Sequence, residues 1–155
     1  MAKLLEEGSK APAFKLATAD GPVALKDFAG KPLVLYFYPK DDTSGCTAEA
    51  QQFSSLAKDF AKAGAAVLGV SKDSVEKHKK FAAKYGLKVS LGSDEEGKVV
   101  EAYGAWVEKS MYGRKYMGID RSTFLIDGKG VIQKVWRKVK VPGHAKEVLE
   151  AVKAL

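Results

Sequence analysis

The six residues Leu33-Val34-Leu35-Tyr36-Phe37-Tyr38 are apolar or aromatic at every position. A strand with one wet face alternates in polarity, so an unbroken run marks a strand covered on both faces. Pro39 ends it, because proline offers a sheet no backbone N–H. Beyond a polar turn, Phe53, Leu56, Ala57 and Phe60 recur with the spacing of one helix face. They predict a helix from near Cys46 to Ala63, stopped by Gly64. Ala65 to Val70 reads as a second buried strand. Strand, helix and strand in this order form a βαβ unit with parallel strands and a right-handed crossover. A chain built on that unit is committed to an α/β architecture.

The remaining segments extend it. Asp20-Gly21-Pro22 is a turn between Phe14–Ala17 and Val23–Leu25, predicting a short N-terminal hairpin. A second helix begins at a cap on Asp73 or Ser74 and ends at Tyr85-Gly86, with Val75, His78, Ala82 and Tyr85 in one stripe. A shorter helix is expected around Glu96 to Tyr103. Asp127-Gly128-Lys129-Gly130 separates Thr123–Ile126 from Val131–Trp136, a hairpin pattern. The last helix is expected to bury Ala145, Val148, Leu149, Val152 and Leu155. The order ββ, βαβα, ββα describes one domain over residues 1–155, with a central mixed sheet and helices on both faces.

Composition narrows the function classes. Hydrophobic residues make up 46% and charged residues 29%, an ordinary globular balance that argues against disorder. The start, Met1-Ala2-Lys3-Leu4-Leu5-Glu6-Glu7, has no apolar run of the secretory kind, and no stretch reaches the roughly 20 apolar residues of a membrane helix. A cytoplasmic protein without a membrane partner is the expectation. The net charge of +7 would suit an anionic partner. The lysines are nonetheless spread among acids, with dense clusters only at Lys77-His78-Lys79-Lys80 and Arg137-Lys138-Val139-Lys140, so they read as solvated faces and not as a nucleic-acid site. Two widely separated histidines and one cysteine make no metal-ligand motif, and a disulfide within the chain is excluded. No cofactor is expected.

A lone cysteine is either an inert core residue or a reactive thiol. The segment Pro39-Lys40-Asp41-Asp42-Thr43-Ser44-Gly45-Cys46-Thr47 favours the second. It follows the C-terminal end of a buried strand, where open α/β sheets place their ligands. It also sets Cys46 in the first turn of a helix, where free backbone N–H groups and the helix dipole favour a thiolate. Thr43, three residues earlier, is either a plain N-cap or a hydroxyl aimed at the sulfur and its reaction partner. Pro39 ends the strand and could also shield the thiolate. His78 and His144 are expected at helix ends or on helix surfaces. Trp106, Trp136, Tyr112 and Tyr116 are expected in core or surface packing, with Met111-Tyr112 on a loop.

The segment Tyr36-Phe37-Tyr38-Pro39-Lys40-Asp41-Asp42-Thr43-Ser44-Gly45-Cys46-Thr47-Ala48-Glu49 resembles the active-site segment of peroxiredoxins, and more narrowly of the bacterioferritin comigratory or peroxiredoxin Q subfamily. Similar stretches follow in order at Met111–Arg114, Gly118–Asp127 and Trp136–Ala145. The resemblance implies a thioredoxin-like fold and a thiol-dependent peroxidase acting on hydrogen peroxide and organic hydroperoxides. It implies Cys46 as the peroxidatic cysteine, Thr43 as a hydrogen-bonding partner of peroxide and sulfur, Pro39 as a shield, and Arg121 as the charge that favours the thiolate and polarises the peroxide. Glu49 and Gly45 would support the site, Glu49 by orienting arginine.

The chain departs from that family in one consequential way. Members often carry a resolving cysteine at the position of Gln51 or at that of Ala82, and neither residue here has sulfur. The sulfenic acid on Cys46 would then be reduced by an external thiol such as thioredoxin, glutaredoxin or glutathione. The absence is either natural to a one-cysteine enzyme or a deliberate replacement. Ser44 also stands where the family often has proline. The resemblance suggests a monomer or a loose homodimer. The rival readings are a thioredoxin-fold binding or holdase protein with an inert Cys46, and a basic nucleic-acid binder.

Overall fold

The computed structural model describes residues 5–155; the expectations on Met1 to Leu4 lie outside them. The chain runs β1 (Lys15–Leu16), β2 (Val23–Ala24), a 3-10 turn (Leu25–Phe28), β3 (Leu33–Phe37), α1 (Ser44–Ser55), α2 (Ala57–Lys62), β4 (Ala66–Ser71), α3 (Val75–Tyr85) and β5 (Ser90–Ser93). It continues through α4 (Lys98–Ala102), β6 (Trp106–Met111), β7 (Arg114–Ile119), β8 (Ser122–Ile126), β9 (Ile132–Trp136) and α5 (His144–Lys153).

The apolar run behaves as its composition demands. Every residue of β3 is buried, and alternate side chains enter opposite layers. Leu33, Leu35 and Phe37 join Phe14, Leu16, Val99, Val100 and Tyr103 beneath the N-terminal hairpin and α4. Val34, Tyr36 and Tyr38 join Ala50, Phe53, Phe60, Phe81, Val148 and Val152 beneath α1, α2, α3 and α5. The sheet between the layers has the order β5-β4-β3-β8-β9, with β3 parallel to β4 and antiparallel to β8. This is the mixed α/β sheet with helices on both faces, and the β1–β2 hairpin pairs as expected.

Several local expectations are corrected. The helix from Cys46 to Ala63 is two helices broken at Leu56. There the Ser55 hydroxyl donates to the Gln52 carbonyl at 2.9 Å, and the Leu56 N–H is shared among the carbonyls of the preceding turn. A serine hydroxyl competing for helix carbonyls is a recognised cause of a bend. Strand β5 escapes sequence reading because Ser90-Leu91-Gly92-Ser93 has one apolar side chain. The segment expected as a loop at Met111-Tyr112 is the end of β6 and the turn of the β6–β7 hairpin. Tyr112 and Gly113 both have positive φ (53° and 77°), the geometry of a type I′ turn. Its strands are largely exposed and pair only with each other, so no apolar alternation marks them. Leu155, expected in the core, is 55% exposed beyond the end of α5.

Both histidines are buried, against the expectation of helix ends or surfaces; His144 does occupy the first position of α5. Its Nε2 lies 2.7 Å from the Thr123 hydroxyl, and its side chain packs edge-on to Phe53 and Trp136. Among the described residues, no helix is long and apolar enough to cross a membrane.

Candidate active site

The α1 helix begins where β3 releases the chain. Thr43 is its N-cap residue, with extended backbone angles (φ −96°, ψ 155°), and its carbonyl accepts the N–H of Thr47 at 2.8 Å. Cys46 is the third helical residue, so its sulfur sits in the turn whose N–H groups lack helical partners. It is 2% exposed and packs with Tyr36, Tyr38, Ala50 and Phe53. Cys46, Ala50 and Phe53 therefore make the buried face of α1. The position is at once a helix N-terminus and a core stripe, two environments that read as alternatives in the sequence.

The sheet register delivers the charge. Phe37 at the end of β3 pairs with Ser122 at the start of β8, which puts Arg121 beside the turn leading to Cys46. Its Nη2 donates to the Cys46 sulfur at 3.4 Å, and its Nη1 donates to Glu49 Oε1 at 2.7 Å. Glu49 is one turn further along α1 and 1% exposed. Burial pushes its carboxyl up to about 7 against the opposing pull of Arg121. Burial lowers the Arg121 guanidinium, but Glu49 and Cys46 together more than offset this and leave it above its ordinary range. Gly45 faces the same group: a Cβ built there would stand 3.1 Å from Arg121 Nη2, closer than ordinary packing.

The expected site residues thus split in their contacts. Cys46, Glu49, Arg121 and Gly45 form one cluster. Thr43 is adjacent but does not cap with its side chain; its hydroxyl donates to the Lys40 carbonyl at 2.9 Å. That bond uses the only hydroxyl proton, so Thr43 faces any further partner as an acceptor. Pro39 is half-buried at the strand end. Gln51 is exposed on α1, and Ala82 is half-buried on α3. Arg137 belongs elsewhere: its guanidinium reaches the carbonyls of Gly104 and Leu5 and lies over the Phe124 ring.

Three features of the site were not legible in sequence. Lys109 of β6 lies near enough for its ammonium, lowered by burial, to feel both Cys46 and Arg121. The Tyr36 hydroxyl, Thr47 Oγ1 and Glu49 Oε2 are buried with no hydrogen-bond partner among the described residues. Burial first, then the negative charges of Glu49 and Cys46, holds the Tyr36 phenol protonated well beyond its usual range. The third is the group Tyr38, Asp41 and His78, which binds the turn before Thr43 to α3. A helix N-terminus and a fixed guanidinium at one sulfur stabilise negative charge on that sulfur or on an atom bonded to it.

Known proteins resemble this chain in sequence and in fold. The sequence profile of the AhpC/TSA family matches residues 8–135. A Coxiella burnetii protein named putative peroxiredoxin bcp is 53% identical over 146 residues, covering 94% of this chain and 97% of its own length. A serine mutant of Xylella fastidiosa PrxQ superposes with a TM-score of 0.93 at 40% identity, covering 99% of this chain and 98% of that one. The Xanthomonas campestris bacterioferritin comigratory protein, solved in work on its alkyl peroxide reduction activity, superposes with a TM-score of 0.87 at 47% identity, covering 91% and 90%.

Proposed function

On the premise that the chain belongs to the AhpC/TSA family and, within it, to the Bcp or peroxiredoxin Q peroxidases, we propose that it reduces hydroperoxides through Cys46. The observation that carries this assignment is the Arg121 guanidinium, held between Glu49 and the Cys46 sulfur at a helix N-terminus. The Cys46 thiolate attacks the terminal oxygen of the peroxide. The S–O bond forms as the O–O bond breaks, and the departing alkoxide or hydroxide takes a proton to leave as alcohol or water. Arg121 and the N–H groups of the first turn of α1 stabilise the charge that develops on the departing oxygen. Thr43, its own proton committed to Lys40, accepts a hydrogen bond from the O–H of the incoming peroxide. Pro39 limits water at the sulfur.

The product is a sulfenic acid on Cys46. Cys46 is the only cysteine in the chain, so an external thiol completes the cycle. One thiol condenses with the sulfenic acid and releases water; a second splits the mixed disulfide and regenerates Cys46. That thiol is glutathione, a glutaredoxin or thioredoxin. The enzyme acts in the cytoplasm as a single-domain monomer or loose dimer.

Intact mass after one equivalent of hydrogen peroxide, with and without dimedone, tests the reading. A single dimedone adduct that disappears in Cys46→Ser is the expected result. Unmodified protein with its peroxide unconsumed would mean that the buried thiol is inert, and a binding function would replace this one.

A further inference from the structure

The turn between β3 and α1 is held by a buried polar group that the chemistry above does not use. Asp41, 8% exposed, is anchored at three atoms. Its N–H donates to Asp73 Oδ2 at 2.8 Å. Its Oδ1 accepts the Tyr38 hydroxyl at 2.5 Å, and its Oδ2 lies 2.6 Å from His78 Nδ1. His78, 2% exposed, sets its other ring nitrogen 3.1 Å from the Gly92 carbonyl. A carbonyl can only accept, so Nε2 donates to Gly92, and the Nδ1 contact joins the ring to the Asp41 carboxyl. Asp73 is fixed in turn by the Ser71 hydroxyl at 2.7 Å and, through its carbonyl, by the Ser93 hydroxyl at 2.6 Å.

This group joins four elements at the turn. Tyr38 ends the β3 run, Ser71 ends β4, His78 lies on α3, and Gly92 and Ser93 belong to β5. The next residue reinforces it: Asp42, in the left-handed region (φ 60°), accepts from Lys84 at 2.8 Å and from the Tyr85 hydroxyl at 2.5 Å, both near the end of α3. Thr43 follows directly, with its hydroxyl tied back to Lys40. The backbone that sets Thr43 and the first turn of α1 is therefore clamped to α3, and the buried α3 residue of that clamp is His78.

We propose that His78 is a positioning residue for peroxide reduction: it holds Asp41, and through Asp41 keeps Thr43 and the first-turn N–H groups aimed at the peroxide that Cys46 attacks. The proposal rests on the peroxidase reading above. Removing one of the two ring nitrogens leaves Asp41 or Gly92 without its partner and loosens the turn. That costs alignment with a peroxide, whereas a simple alkylating agent needs only the thiol.

The test compares His78→Gln with the unmodified enzyme by stopped-flow reaction with hydrogen peroxide and by iodoacetamide alkylation at the same pH. The expected result is a fall in the peroxide rate of about 10- to 100-fold, the scale of a lost alignment, with alkylation changed less than about threefold. Equal rates in variant and parent, or a parallel fall in both reactions, would overturn the proposal. Asp41→Asn, read by the same ratio, decides the matter if His78→Gln does not fold. ¹⁵N spectra of the unmodified protein should show the His78 Nε2 carrying a proton; an unprotonated Nε2 would overturn the clamp. A parent enzyme that consumes no peroxide would instead refute the peroxidase reading itself.

Discussion

Seventy-five residues separate Arg121 from Cys46 in the chain, yet Arg121 Nη2 stands 3.4 Å from the Cys46 sulfur. The planar guanidinium serves two acceptors at once, because Glu49 holds Nη1 at 2.7 Å while Nη2 faces sulfur. A lysine ammonium is a compact point charge without that fixed fork. Arg121→Ala is expected to slow reduction of hydrogen peroxide by about 100-fold or more, the scale of removing one preorganised donor. Arg121→Lys is expected to recover only part of it. Stopped-flow peroxide consumption checks both; a fully active Arg121→Lys would mean that charge alone is needed.

Gly45 gives a finer test of the same geometry. Its backbone φ is not positive, so alanine is compatible with the helix, and the only obstacle is the Arg121 Nη2 atom 3.1 Å from the new Cβ. Gly45→Ala is expected to leave stability unchanged or raised by up to about 1 kcal/mol, the helix preference of alanine. The displaced guanidinium should slow peroxide reduction about fivefold, within the range that small misplacements cost. Thermal unfolding and peroxide kinetics on one sample would read the two opposite signs.

Glu49 makes stability fall as pH rises. Its carboxyl moves from an ordinary 4.5 to about 7 in the folded chain because burial outweighs Arg121. Between those values the unfolded chain has released the proton and the folded one retains it, so stability drops across that window and levels off above it. Glu49→Gln lacks this titration and keeps an acceptor for Arg121. Its melting temperature relative to the parent is therefore expected to rise from pH 4.5 to pH 8. A difference independent of pH would show that Glu49 is ionised throughout.

His144 produces the opposite slope. Burial lowers its imidazole from 6.5 to about 4, while Glu147 partly opposes that shift, and its Nε2 lies 2.7 Å from the Thr123 hydroxyl. As pH falls from 6.5 to about 4 the unfolded chain gains a proton that the folded chain refuses, so stability declines on acidification. His144→Gln can still hydrogen-bond to Thr123 and should show a flatter acid limb in melting temperature over that interval. An unchanged limb would assign acid sensitivity to other groups.

The missing second sulfur has its own consequence. With dithiothreitol the enzyme should turn over, and thioredoxin should support slower turnover than in a two-cysteine relative. Excess peroxide without thiol should add about 32 Da, the two oxygens of a sulfinic acid on Cys46. A thioredoxin-coupled rate equal to that of such a relative would show that no internal resolving thiol is required.

What was readable without coordinates follows from rules that span a few residues. The apolar run Leu33 to Tyr38, the proline after it and the periodic face beyond it determine a βαβ unit, and that unit alone places Cys46 at a helix N-terminus. Resemblance to a family named Arg121 and Glu49 but supplied no geometry. The tertiary structure decided the rest, because the decisive contacts join residues whose separation no local rule covers. The pairing of Phe37 with Ser122 carries Arg121 to the sulfur. The packing of α3 on the sheet buries His78 against Asp41, 37 residues away, where helical periodicity alone shows an amphipathic stripe. The β6–β7 hairpin was unreadable for the converse reason: its exposed strands satisfy their backbone hydrogen bonds with each other and need no apolar pattern.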